Sequence, residues 1–267
     1  MGAFRLYWRY AAASIRAQIQ YPGSFLMVAG AQFGVTLLEF AGIWVLFRRF
    51  GQVRGWTFGE VAVFYGTINV SFAVAEAVSH GFDVFGTEFV KTGNFDRVLL
   101  RPRPPTLQLL GHELRLNRVG RLAQGLVVLA IATRLIGLRW SPARVLLMLA
   151  TIAGAIALFV GILVLQATLA FWTVESLEIA NTLTYGGVEA AQYPLDIYSR
   201  WFREFLTFVV PLGCISYFPV AVVLGHAGRL GAPAWFSATS PIFGFVFLCG
   251  ALGVWCLGVR HYTSTGS

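Results

Sequence analysis

Long apolar runs alternate along this chain with short polar segments rich in arginine, glycine and proline. Six runs stand out, roughly Phe25 to Phe47, Phe58 to Val78, Val119 to Leu138, Val145 to Trp172, Phe205 to Leu224 and Phe236 to Val259. A bilayer core about 30 Å thick is crossed by about 20 helical residues. Each run therefore predicts a membrane-spanning helix, and the fold class is all-α, a polytopic membrane protein of six spans. The runs are continuous rather than alternating, which argues against a β-barrel. Arg121 and Arg134 lie near the ends of the third run. Pro211 and Pro219 break the fifth, where a kink or a short re-entrant turn is expected.

Ahead of the first span, FRLYWRYAAASIRAQIQYP reads as an amphipathic helix. Phe4, Trp8, Ala11, Ile15 and Ile19 share one face, with Arg5, Arg9, Arg16 and Gln20 beside it. Such a helix lies in the membrane interface, arginines toward phosphate. Pro22 is expected to end it. The arginines, and the lack of a short apolar core with a cleavage site, argue against a secretory signal peptide.

Composition agrees with a membrane class. The chain has 267 residues, 57% hydrophobic and 12% charged, against about 25% charged in soluble domains. Its mean hydropathy is +0.69. Six spans put both termini on one side, and that side carries 13 of the 20 Lys and Arg residues. The positive-inside rule then makes both termini cytoplasmic. The chain reads as one transmembrane domain, 1–267, with an interfacial helix at 1–22 and cytoplasmic loops at 81–118 and 173–204. Glu175, Glu178, Glu189 and Asp196 fall in that second loop. The loop FRRFGQVRGW is basic for an outer segment. The net charge of +8 is mostly this topology signal, together with contact to anionic lipid. No basic-aromatic patch points to nucleic acid.

The cytoplasmic stretch GNFDRVLLRPRPPTLQLL, Gly93 to Leu110, has local structure of its own. Gly93 ends the preceding helical pattern and Asn94 is a good N-cap. Phe95, Val98 and Leu99 make one apolar face at i, i+3, i+4 spacing. Asp96 lies in the first turn, where the helix dipole favours an anion. Arg97 and Arg101 flank the face. Pro102, Pro104 and Pro105 forbid continuation, and Thr106 is placed to cap a next helix from Leu107. The prediction is a two-turn helix on a rigid proline elbow, able to fill a cleft on a partner or to lie on lipid headgroups.

No chemistry of its own is legible. The single lysine, Lys91, does not sit in a GxxxxGK(S/T) phosphate loop, and neither GxSxG nor HExxH occurs. Cys214, Cys249 and Cys256 form no CxxC pair and read as small core residues. His80, His112, His226 and His261 lack metal-ligand spacing. Polar positions inside the spans form two faces, Gln32, Thr36 and Glu39 on the first and Asn69, Glu76 and His80 on the second. Either lines a polar path or serves interhelical hydrogen bonds. On residues alone, an ATPase-driven permease, an ion-gradient-driven secondary transporter and a non-transporting scaffold subunit all stay open.

The pattern G-x-x-D-R-x-L-L-R-P, present as GNFDRVLLRP at Gly93 to Pro102, resembles the hallmark segment of type-2 ATP-binding-cassette permeases. The likeness is to their six-span branch, whose members have about this chain's length. FWTVESLEIANTL (Phe171 to Leu183), AQYPLDIYSRWFREFLTFVVPLGCISYFPV (Ala191 to Val220) and the closing GVRHYTSTGS are similar to that family as well. The resemblance implies the transmembrane subunit of a transporter, most often an exporter of the bacterial plasma membrane. It implies pairing with a second copy or a related permease, and cytoplasmic ATPase subunits that hold the ATP and magnesium; this chain holds no cofactor. It makes Gly93, Asn94, Phe95, Asp96, Arg97, Val98, Leu99, Arg101 and Pro102 the coupling segment that meets the ATPase. On this reading the substrate path is sought first at Gln32, Glu39 and Asn69, with the Pro211–Pro219 break as an outer gate.

Overall fold

The computed structural model describes residues 12, 15, 16, 18, 20–112, 115, 118–173 and 177–263, and of residues 177–180 and 183 only the backbone. Among these the chain is helical, with an isolated bridge between Val53 and Trp56 and no strand. Most of the expected interfacial helix, including Phe4, Arg5, Trp8 and Arg9, lies outside the described residues, as do Glu175 and the closing Ser264 and Gly266. Pro22 begins a helix: α1 runs Pro22–Phe50 with the proline in its first turn, where a missing N–H costs nothing.

The central element is α2, Phe58–Asp83. A capping box starts it, with Thr57 N donating to Glu60 Oε2 at 2.8 Å and Glu60 N to Thr57 Oγ1 at 3.4 Å. A π-helical turn, Phe85–Val90, carries the helical path beyond the expected loop boundary at residue 81. Against α2 pack α5, Val119–Leu135, and α6, Pro142–Leu169. Helix α12, Ile242–His261, packs along α6, and α1 lies mainly on α5. Small residues let these backbones touch. A Cβ on Gly244 would stand 2.0 Å from the Gly154 carbonyl oxygen, and one on Gly120 2.0 Å from that of Ala29.

Four helical stretches are long and apolar enough to cross a membrane: Pro22–Phe50, Phe58–Val90, Pro142–Leu169 and Ile242–His261. The chain is thus an all-α, multi-pass membrane protein. At 17 residues α5 is shorter than these. The expected fifth span is a bent pair: Arg200–Val209 and Leu212–Leu224 meet at 75°. Its entering arm is α8, Arg200–Glu204, extended by a π-turn, Phe205–Val209. The break falls at extended Val210 and at Pro211, which has no N–H to continue the helix. The returning arm holds α9, Leu212–Ile215, and α10, Tyr217–Leu224, with Pro219 harmless in the first turn of α10. Helix α11, Ala234–Thr239, then leads into α12.

Two contacts show that the bent pair enters and leaves the bundle at one end. Asp196 precedes it, and its carboxylate accepts from Trp56 Nε1 at 2.9 Å. His226 follows it, with its ring 5.0 Å from that of Trp56. The pair is therefore a hairpin. What connects the two ends of the bundle here is α7, Leu177–Ala191. Near its start Asn181 Oδ1 accepts from Gln166 Nε2 at 2.6 Å, beside the C-terminal end of α6. Residues 177–191, expected within a cytoplasmic loop at 173–204, thus form a helix between the two ends of the bundle. Asn181, Thr182, Thr184, Gly186 and Gly187 interrupt the apolar run of α7, which hid it.

Candidate functional site

At the end of the bundle opposite Trp56, two short helices, α3 (Asn94–Leu99) and α4 (Pro105–Leu110), follow the π-turn. Gly93 occupies the N-cap position with φ +68°, a left-handed conformation that glycine adopts without a Cβ penalty. Asn94 is consequently not the cap. Its Nδ2 donates instead to the Glu88 carbonyl oxygen at 3.1 Å, tying α3 to the π-turn. Thr106 likewise lies inside α4 rather than capping it, since Pro105 starts the helix. Gln108 Nε2 donates to the carbonyl oxygens of Val98 and Arg103, both at 3.0 Å, which braces the proline elbow.

The apolar face of α3 is split in two. Phe95 is fully buried, its ring 4.9 Å from Phe85, 5.0 Å from Tyr262 and 5.6 Å from Phe171. Val98 is buried beside it. These two residues anchor α3 to the ends of α6 and α12. Leu99 and Leu100 point outward, 40% and 85% exposed, with Arg97, Arg101 and Pro102 also exposed. Asp96 faces Tyr262; burial first, and then this carboxylate, push the Tyr262 phenol above its ordinary range. A groove of about 480 Å³ runs between α3, α4 and the π-turn, bordered by Arg97, Arg101, Glu88 and His112.

The expected path residues do not share one face. Gln32 is half-buried and accepts from Arg118 Nη1 at 3.4 Å. Glu39 is exposed on α1. Asn69 is fully buried against Gly125, its Nδ2 donating to the Tyr65 carbonyl oxygen at 3.0 Å. Pro211 and Pro219 are buried within the hairpin. Of the cysteines, Cys214 is buried in the hairpin, but Cys249 and Cys256 are exposed on α12 rather than in the core.

A charged node joins four helices, and sequence reasoning saw only parts of it. Glu76 of α2 receives Arg118 Nη2 at 3.0 Å, Arg121 Nη1 at 3.5 Å and the Tyr185 hydroxyl at 3.2 Å. Arg121 also lies 5.1 Å over the Phe72 ring. Through Gln32 the node reaches α1, and through Tyr185 it reaches α7. Its sequence signal was two arginines one turn apart at the start of an apolar run, with a carboxylate in the neighbouring run. At the opposite end, Arg229 lies 4.5 Å over the Trp56 ring and His226 Nε2 pairs with Glu60. Among the described residues, no group of three or more His, Cys, Asp or Glu side chains is placed to hold a metal ion.

The family model described as "ABC-2 family transporter protein" matches residues 33–266. Neither the curated proteins nor the solved structures contain a match.

Proposed function

The chain belongs to the ABC-2 family of transporter proteins, and we propose that it is an exporter permease driven by separate ATPase subunits. It is a transporter's membrane component; ATP and its magnesium stay on the partner, and hydrolysis occurs there. Two permease chains pair in a bacterial plasma membrane, as two copies or as this chain with a relative. Both termini and α3 lie in the cytoplasm, and the Trp56 end faces outward. In this arrangement α5 and α7 complete six crossings, and the hairpin dips into the membrane from outside.

The observation that carries the ATPase reading is the division of labour in α3. Phe95 and Val98 fix the helix to the bundle, while Leu99, Leu100, Arg97 and Arg101 stand free on a stiff proline-braced turn. A helix held so firmly on one side transmits displacement rather than absorbing it. Its motion reaches α2 through the π-turn and α12 through the Phe95–Tyr262 contact. The Glu76 node then links α2 to α1, α5 and α7, so a shift at α3 becomes a rigid-body change of the whole bundle. Glu39, an exposed carboxylate within a spanning helix, faces the path or the paired chain, because lipid disfavours it.

The test is reconstitution of this chain with its ATPase in vesicles. ATP hydrolysis that rises on assembly and falls in Leu99→Asp with Leu100→Asp supports the reading. Transport sustained by an ion gradient with no ATPase present contradicts it.

A further inference from the structure

At the tip of the hairpin lies a cavity of about 370 Å³ that the transport reading does not use. It falls within the range of ligand pockets, about 300–1,000 Å³. Its walls come from four elements: Ile162 of α6, Phe247 of α12, Gly186 and Gly187 of α7, and Leu206 and Val210 of the hairpin. Among the described residues, no charged side chain lines it. Of its two threonines, Thr184 already donates to Gln166 Oε1 at 2.9 Å. The other described lining residues are apolar side chains and two glycines.

Glycine within a helix is unfavourable relative to alanine. At Gly154 and Gly244 close backbone contact explains it, and at Gly187 an added Cβ would already meet Leu212 at 3.3 Å. At Gly186 nothing stands within 4 Å of the missing Cβ. Gly186 is exposed and lines the cavity, so a larger side chain there has room to grow.

Depth identifies the occupant. Ile162 lies well inside the membrane-crossing helix Pro142–Leu169, and Phe247 in Ile242–His261. The surrounding medium at that level is alkyl chain. The cavity is partly open, and the hairpin beside it already presents apolar surface, with Phe208 79% and Val209 62% exposed. Arg203 stands seven residues before Val210 on the entering arm. That is roughly 10 Å at 1.5 Å per residue, so Arg203 offers a cation within an acyl chain's length of the cavity.

We propose that this cavity is a lateral site for one acyl chain of a bilayer phospholipid, which fills the space under the hairpin tip. The site requires only that the chain spans a bilayer, so it stands apart from the ATPase-driven reading.

The test uses the full chain in phosphatidylcholine nanodiscs, without ATPase or cargo, doped with a lipid carrying a diazirine within its acyl chain. Crosslinked peptides are mapped by mass spectrometry. Labelling concentrates on residues 202–212 and on the peptide holding Gly186. Gly186→Phe, which grows into open space, lowers that labelling at least about tenfold, while labelling of the exposed face of α1 holds. Val210→Phe fills the cavity from the facing wall with the same result, and serves if Gly186→Phe does not fold. Labelling no denser than on α1, labelling unchanged in both variants, or a cavity left unlabelled because cargo or a second copy occupies it each overturns the proposal.

Discussion

Trp56 Nε1 donates to both carboxylate oxygens of Asp196, at 2.9 Å each, across 140 residues of sequence. Trp56 is fully buried and Asp196 half-buried, so the bond is partly shielded from water. It fixes the start of the hairpin to the loop before α2, while His226 and Glu60 fix its end. Trp56→Phe keeps the ring packing and removes the donor. Loss of a hydrogen bond to a charged group costs about 1.5–3 kcal/mol. Thermal unfolding in detergent should show that loss, and Asp196→Asn, which keeps an acceptor, should show less.

Glu76 pairs with half-buried Arg118 at 3.0 Å and with buried Arg121 at 3.5 Å. Removing it leaves both guanidinium groups without this carboxylate, and breaking the buried Glu76–Arg121 pair costs about 3–5 kcal/mol. Glu76→Ala should therefore cut stability strongly. Glu76→Ala combined with Arg121→Leu should recover part of the loss, because one orphaned charge is gone. A double-mutant cycle by thermal unfolding measures this, and strict additivity would sink the node.

Much of the architecture was legible in the apolar pattern. The long helices α1, α2, α6 and α12 announce themselves, because about 20 continuous apolar residues have few alternatives. The proline break in the fifth run was also legible. The direction of the chain after that break was not. Two contacts of Trp56 decide it, with Asp196 before the break and His226 after it, and contacts so far apart in sequence leave no local trace. Helix α7 was hidden because Asn181, Thr184 and Tyr185 serve interhelical bonds, and such polar residues make a packed helix look like a loop. In α3 the spacing of Phe95, Val98 and Leu99 was legible as a face. Spacing alone does not tell which side of that face meets the bundle.

The split face of α3 separates stability from docking. Phe95→Ala empties an aromatic cluster, and such truncations cost about 3–5 kcal/mol. Leu99→Ala with Leu100→Ala removes exposed side chains, and exposed changes stay within about 0.5 kcal/mol. The first variant should lower both the unfolding temperature and ATPase binding. The second should lower binding alone, in parallel unfolding and pull-down measurements.

Tyr262 gives α3 an alkaline limit. Its phenol is raised above the ordinary value, so the folded state favours the neutral form. That contribution is complete below the unfolded value of about 10 and is lost as pH climbs through the higher folded value. Above that pH the ionised phenol also repels Asp96. Unfolding followed against pH should fall more steeply for the natural chain than for Tyr262→Phe. Asp96→Asn should move the Tyr262 titration down toward the ordinary range.

The account turns on whether α3 is the surface that meets an ATPase. A single cysteine placed at Leu100, in a background with Cys214, Cys249 and Cys256 replaced by alanine, can be crosslinked in native membranes. The predicted result is a crosslinked product joining this chain to a subunit that carries a GxxxxGK(S/T) phosphate loop, with none from a cysteine placed at Arg229. A product from Arg229 and none from Leu100 would contradict it.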